Sequence, residues 1–465
     1  MIVVVHGLCL GQHFNAYLHG GIVIKYGLAF VSAALFLCGV HAHAKEAVPG
    51  NTMGATTCGQ STCHSANIPW PNSAVAQNEF TQWQIKDPHS GSYKTLTSKK
   101  ARRIARFTSQ GDPTQSAKCL GCHAFQVPKI RQEQSYDITE GVTCEACHGP
   151  ASGWLGVHTA GLYFYSKNVE KGMYPTTDPT ARAKLCLSCH VGDGDKFVSH
   201  SMMAAGHPVL PFELGFYSWF TKSNPGDRAG YVHFKVDDDY LQRKPWPFGV
   251  KVWAIGQVAQ AKAILELVTD PKNSPRGLFP ELALFECQSC HQSAKGSGAY
   301  GPTLPKIKAA NLLFSEFAAK IVDDRLAARL RSNIRSLRAS PGISWGAVIG
   351  SSRRLKKTLG EIEIALESHN FTIDDNTETL ARITKAYMRG RLHGYESSEQ
   401  AVLAVGSLVD ELDRLETLSV PLAAEAISAT QRGLMAFKNQ DVYSRTTVHS
   451  TMRDIAQIIA QHTAK

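Results

Sequence analysis

Four times in 465 residues two cysteines separated by two positions are followed at once by a histidine: Cys119/Cys122-His123, Cys144/Cys147-His148, Cys186/Cys189-His190 and Cys287/Cys290-His291. A fifth stretch, from Cys58 to Cys63 and His64, has the same ending with four residues between the thiols. Two thiols so close in sequence can reach two fixed points on one rigid macrocycle, and the adjacent histidine is then carried beneath the ring. That is the attachment chemistry of haem c, with thioether bonds from the cysteines and an imidazole on the iron. With 12 cysteines and 19 histidines in the chain, chance supplies only ~0.01 matches to the short pattern. Structural zinc uses paired cysteines but does not need a histidine after every second one. Disulfides leave that histidine unexplained as well. The residues therefore imply five haem c groups, with His64, His123, His148, His190 and His291 as ligands on iron.

The other cysteines sharpen this reading. Residues 25–44 run from a lysine through an apolar stretch, Tyr26 to Val40, to Ala42-His43-Ala44, the pattern of a removable signal peptide. Cleavage after Ala44 removes Cys9 and Cys38, and the ten cysteines that remain all belong to the five pairs. The mature chain is expected to be periplasmic or extracellular. Beyond the leader no uncharged apolar run reaches the roughly 18 residues of a membrane span. The net charge is +10, of which Lys25 in the leader supplies one unit. Each ferric haem with two histidines and two propionates contributes about −1, which brings the loaded protein to about +4. A pI near 9.0 is then poor support for a nucleic-acid partner and better suited to an acidic redox protein.

The elements that must position these groups differ along the chain. Residues 58–291 are rich in Gly, Pro, Ser and Thr, so short helices at the attachment sites with irregular connections are expected. Between the fourth and fifth sites lie an aromatic-rich stretch at 212–220, an acidic turn at 237–239 and a helix over 252–268. Ala254, Val258, Ala261, Leu265 and Val268 make a packing stripe on that helix. From about 305 cysteine disappears and apolar residues recur at helical spacing, as in Phe314/Phe317/Ile321, Leu326/Leu330/Leu337, Leu355/Leu359/Ile362/Leu366, Val405/Leu408/Leu412/Leu415 and Ile455/Ile458/Ile459. Five or six amphipathic helices imply a bundle. The fold class is mostly α with extensive coil, a multihaem cytochrome c module followed by a C-terminal helical bundle. The expected division is a signal peptide over 1–44, a four-haem module over 45–210, a fifth-haem segment over 211–304 and a helical domain over 305–465.

The segment ITEGVTCEACHGPASGWLGVH at 138–158 resembles the third haem site of the tetrahaem cytochrome c-554 family. The order of sites is similar too: a first attachment site, His89 in Asp-Pro-His-Ser, then CLGCH, CEACHGP with His158 behind it, and CLSCH. The resemblance implies crossed ligation. His158 would cap the iron held by His64, His89 the iron held by His148, and His207, with His200 as a rival, the iron held by His190. It also implies that the second haem, held by His123, is open on its far side. The four-residue spacer, the long interval from His64 to His89, the fifth haem and the helical tail depart from the family pattern. For the fifth haem the expected sixth ligand is His233, with His369 and His393 behind it.

Two functions follow as expectations. Irons with a histidine on each face transfer electrons without binding substrate, so a relay between redox proteins comes first. The alternative is an oxidoreductase acting on nitric oxide, hydroxylamine or nitrite at an open His123 haem. The C-terminal helices are also candidates for oligomer contacts or docking.

Overall fold

The computed structural model describes residues 50–68, 70, 75, 77–160, 165–219, 249–273, 280–291, 305–392, 394–437 and 443–463. The leader at 1–44, the acidic turn at 237–239, His233 and His393 lie outside the described residues. All described residues belong to one compact unit. As expected, the fold is helices and coil, with no strand among the described residues.

The first half is a succession of short helices: α1 (Ala55–Cys58), α2 (Glu79–Lys86), α3 (Ser92–Leu96), α4 (Lys99–Phe107), α5 (Ala117–His123), α6 (Cys144–His148), α7 (Leu155–Thr159), α8 (Tyr165–Glu170), α9 (Pro179–His190), α10 (His200–Ala204) and α11 (Leu214–Trp219). Three of them end on an attachment histidine because a helical turn puts positions i, i+3 and i+4 on one face, which aligns both cysteines and the histidine. The apolar clusters between these helices are small. One is Leu96, Cys119, Leu120 and Ala124; another is Ile104, Met202 and Ala205; a third is Ala151, Trp154 and Met173.

The second half is built differently. The helix expected over 252–268 runs over Gly249–Thr269 (α12), and its stripe is 0–1% exposed at Ala254, Val258, Ala261, Leu265 and Val268. Val250, Val252, Trp253 and Ile255 are buried as well, so the first half of the helix is enclosed, while Glu266 in its second half is exposed. After it come α13 (Ala310–Val322), α14 (Asp324–Ala339), α15 (Trp345–Ser368), α16 (Ile373–Met388), α17 (Tyr395–Arg414), α18 (Val420–Leu434) and α19 (Arg445–Thr463). Helices α12 to α15 pack as one closed ring of four and α16 to α19 as a second, joined through α12 and α13 against α16 and α17. One apolar core runs from Val250 to Ile459, so α12, from the expected fifth-haem segment, shares the core of the 305–465 helices.

Local signals start these helices where they begin. Asp323 accepts from the Arg325 and Leu326 amides, Ser344 from Ala347, and Thr372 and Asp375 form a reciprocal capping box. The α12 N-terminus is capped from a distance: Glu411 on α17 accepts from the Gly249 amide and, at 2.7 Å, from the Val250 amide, while the Asn376 side chain donates to it. A buried amide chain then ties the bundle to the first half. Asn311 donates to Gln257 at 2.9 Å, and Gln400 donates to the Phe212 carbonyl at 2.8 Å.

Candidate haem sites

At the first site the four-residue spacer closes a turn in which the His64 amide donates to the Cys58 carbonyl at 3.2 Å. The His64 ring meets the Glu79 carboxylate through Nδ1 at 2.7 Å and stacks on His158, 6.0 Å between centroids and 24° between planes. At the second site His123 Nδ1 lies 3.0 Å from both the Ser92 carbonyl and the Thr95 hydroxyl. Across from it stands His207, at 6.3 Å and 85°, whose own Nδ1 donates to the Pro208 carbonyl at 2.8 Å. At the fourth site His190 faces His89 at 6.2 Å and 84°, and His89 Nδ1 meets Asp87 at 2.8 Å. Phe212 stacks on His190 at 4.5 Å. At the fifth, where a short 3-10 turn over Cys287–Ser289 replaces the helix, His291 faces His200 at 6.1 Å and 29°.

These four separations fit one metal per pair. An iron with an imidazole on each face needs two metal–nitrogen bonds of about 2 Å plus the distance from each nitrogen to its ring centre, on the order of 6 Å in all. Protein acceptors at Nδ1 of His64, His89, His123 and His207 leave Nε2 for the metal. Burial, and after it the facing His89, push His190 down to about 4, so its lone pair stays available. Burial lowers His207 too. The Glu79 hydrogen bond raises His64 and the Asp87 hydrogen bond raises His89, both against burial.

None of the ten described cysteines is in a disulfide, and nine of them are buried or half-buried. The tenth, Cys290, is exposed. The short helix expected at this attachment site does not form. The 3-10 turn stops at Ser289 and Cys290 follows as its cap, with φ −118° and ψ −44°, so no helical turn carries Cys290 inward beside Cys287 as one does for the cysteine pairs of the second, third and fourth sites.

A model of the family described as Cytochrome c554 and c-prime matches residues 57–149, the span of the first three attachment sites. A cytochrome c-554 from Nitrosomonas europaea is 28% identical over 194 residues, covering 38% of this chain and 74% of that protein. Over residues 57–149 the chain is a c-554-like cytochrome. That likeness supports a c-type cytochrome with covalently bound haem c and iron, acting in electron transfer with redox partners. No solved structure matches the chain. No helix among the described residues is long and apolar enough to cross a membrane.

The isolated histidines of this c-554-like chain face other attachment histidines than the crossed pattern implies. His64 and His158 are brought together. His89, expected at His148, faces His190; His207, expected at His190, faces His123, the site expected to be open; and His200, expected only as a rival of His207, faces His291. The causes are local. Helix α2 fills the long interval after His64 and ends at Asp87, whose carboxylate accepts from the His89 amide at 2.9 Å and turns the ring toward α9. Arg103 on α4 donates to the Ala205 carbonyl at 3.0 Å and draws the 205–207 turn to the second site. Glu281 accepts from the His200 amide at 2.8 Å, holding the start of α10 beside the fifth site. His369 instead pairs with Asp375 at 3.0 Å at the start of α16, and His233 lies outside the described residues.

Several residues of this cytochrome's sites were not singled out from sequence. Glu145, inside the third spacer and 1% exposed, accepts from the Met53, Gly54 and Ala151 amides at 2.9, 2.8 and 2.7 Å, which binds the lead segment to α6. Gly54 has φ 92°, and a Cβ there would strike the Ser135 carbonyl. Glu396 on α17 accepts from the Cys287 amide at 2.9 Å. Cys58 lies beside Cys144, and Cys122 beside Cys189. Sites one and three, and sites two and four, are therefore neighbours. Only Asp87 had a legible signal, its place two residues before His89, which suits an Asx turn.

Proposed function

We propose that the mature chain is an exported electron-transfer cytochrome with five haem c groups, four of them ligated by His64/His158, His123/His207, His190/His89 and His291/His200 and one held by His148. What supports this is the recurrence, at four separate places, of one attachment histidine facing one isolated histidine at 6.0–6.3 Å. Nothing in local sequence forces that distance four times; a metal between the rings requires it. When bound, haem c supplies one-electron storage and transfer. The chain's residues hold its two faces, orient the imidazoles through Nδ1, and set neighbouring sites in contact at Cys58/Cys144 and Cys122/Cys189. The fifth site belongs to the same set, with Cys287 on its inner side and the exposed Cys290 at its solvent edge.

The alternative, catalysis on a small nitrogen species at His123, needs an open face there, and His207 stands on it. The leader at 1–44 supports export, and the basic balance supports acidic redox partners in the periplasm. The division into a four-haem module, a fifth-haem segment and a helical domain belongs to the same reading, with α12 as the joint.

The test is the mass of the denatured protein together with carbon monoxide binding. Five haems should remain attached in acid, and His207→Ala should bind carbon monoxide at one haem more than wild type. A mass equal to the bare polypeptide, or no added binding in His207→Ala, overturns the proposal.

A further inference from the structure

The ligand histidines differ in what stands behind them. His64 is backed by the Glu79 carboxylate at 2.7 Å and His89 by the Asp87 carboxylate at 2.8 Å. His123 and His207 are backed by neutral groups, the Ser92 carbonyl and Thr95 hydroxyl on one side and the Pro208 carbonyl on the other. A carboxylate on the far nitrogen pulls the ring proton and makes the imidazole a stronger donor, which stabilises ferric over ferrous iron; a carbonyl does so less.

A second, independent feature acts in the same direction. Helix α4 carries Lys99, Lys100, Arg102, Arg103 and Arg106 with no acid, and none of the five is in an ion pair among the described residues. Arg103 holds the Ala205 carbonyl, and Lys100 acts on His207 across space. Positive charge beside an iron favours its less positive, reduced state.

We infer that Glu79 and Asp87 are potential-setting residues that hold the His64/His158 and His190/His89 haems below the His123/His207 haem, whose carbonyl partners and α4 cations hold it high. This rests on the ligand pairs proposed above and assigns the gradient within them. An electron added to this group at equilibrium then resides at the second site, behind the basic helix.

The experiment is a spectroelectrochemical titration of the full-length holoprotein, with electron paramagnetic resonance at poised potentials to follow single haems. Glu79→Gln keeps the side chain's shape and should raise one low potential so that the oxidised-to-reduced ratio at a fixed potential falls about tenfold, about 59 mV for one electron. Asp87→Asn should do the same at a different haem. Thr95→Asp puts a carboxylate behind His123 and should lower the highest potential, which keeps the test open if either first variant fails to assemble. Shifts confined to one haem each, with these signs, support the inference. No shift, an equal shift of all haems, or a lowered potential in Glu79→Gln overturns it. Loss of the haems themselves in wild type would instead remove the electron-transfer proposal, and the mass measurement separates the two failures.

Discussion

The region over 50–219 and the helices over 249–463 solve the same problem, burying enough surface to stay folded, by opposite means. In the helical region one apolar core extends from Val250 to Ile459, with Leu330, Leu355, Leu359 and Ile362 at 0% exposure. Each such side chain contributes about 1.5–3 kcal/mol on burial. In the haem region apolar clusters hold three to five buried residues each, and charged or backbone groups such as Glu145 tie segments together. A chain with so little aliphatic core relies on its cofactors for apolar surface. The price is that the first half cannot be complete as polypeptide alone, whereas the second half can.

The largest effect expected from this difference follows withdrawal of haem. Protein made without haem attachment should be cut by protease throughout 50–219, while a fragment containing α13 to α19 survives; equal susceptibility of both halves would break the comparison. Next in size, Leu359→Ala should destabilise the helical region by about 2–5 kcal/mol, read by chemical denaturation followed at far-UV wavelengths, with the haem bands unmoved until unfolding.

Glu399 on α17 offers a smaller effect with a definite sign. Burial raises its carboxyl from 4.5 to about 7, opposed by the Tyr395 hydroxyl that donates to it at 3.1 Å. The folded state therefore binds this proton more tightly than the unfolded one. Stability from it is fully present below pH 4.5 and declines as pH rises to about 7. Glu399→Gln should remove about 1–2 kcal/mol of that slope, measured as the change in unfolding free energy between these pH values. The finest test lies inside the haem region, where the bundle has no say. Near-parallel rings at His64/His158 and His200/His291, 24° and 29°, should give ordinary rhombic ferric signals. Near-perpendicular rings at His89/His190 and His123/His207, 84° and 85°, leave two iron d orbitals close in energy and should give signals with one very large g value.

The two regions also differed in how much of them could be read from sequence. Most of the bundle was legible through its large apolar residues, but α18 was missed because it packs with Ala423, Ala426, Ala429 and Gly433, small residues that leave no stripe. Helix α16 was missed because much of its buried face is polar, with Asn376, Thr377, Thr379 and Thr384 beside Leu380 and Ile383. Leu415, placed in a buried stripe, lies at the end of α17 and is 43% exposed. In the haem region His89, His158, His200 and His207 were all recognisable as candidates, but most of their partners were not. Nor did the Cys287/Cys290 spacing, the same as at three other sites, reveal that its turn would leave Cys290 exposed.

That boundary has a physical cause. Haem c attachment needs two cysteines and a histidine close in the chain, because both thioether bonds and the first imidazole serve one rigid ring, and local spacing alone decides whether they reach it. The second imidazole has no such constraint: it can come from any distance, so its choice waits on where α2 ends, where Arg103 pulls the turn before His207, and where Glu281 holds His200. The attachment motifs are written in the order of residues, and which histidines face one another was decided only when the helices packed.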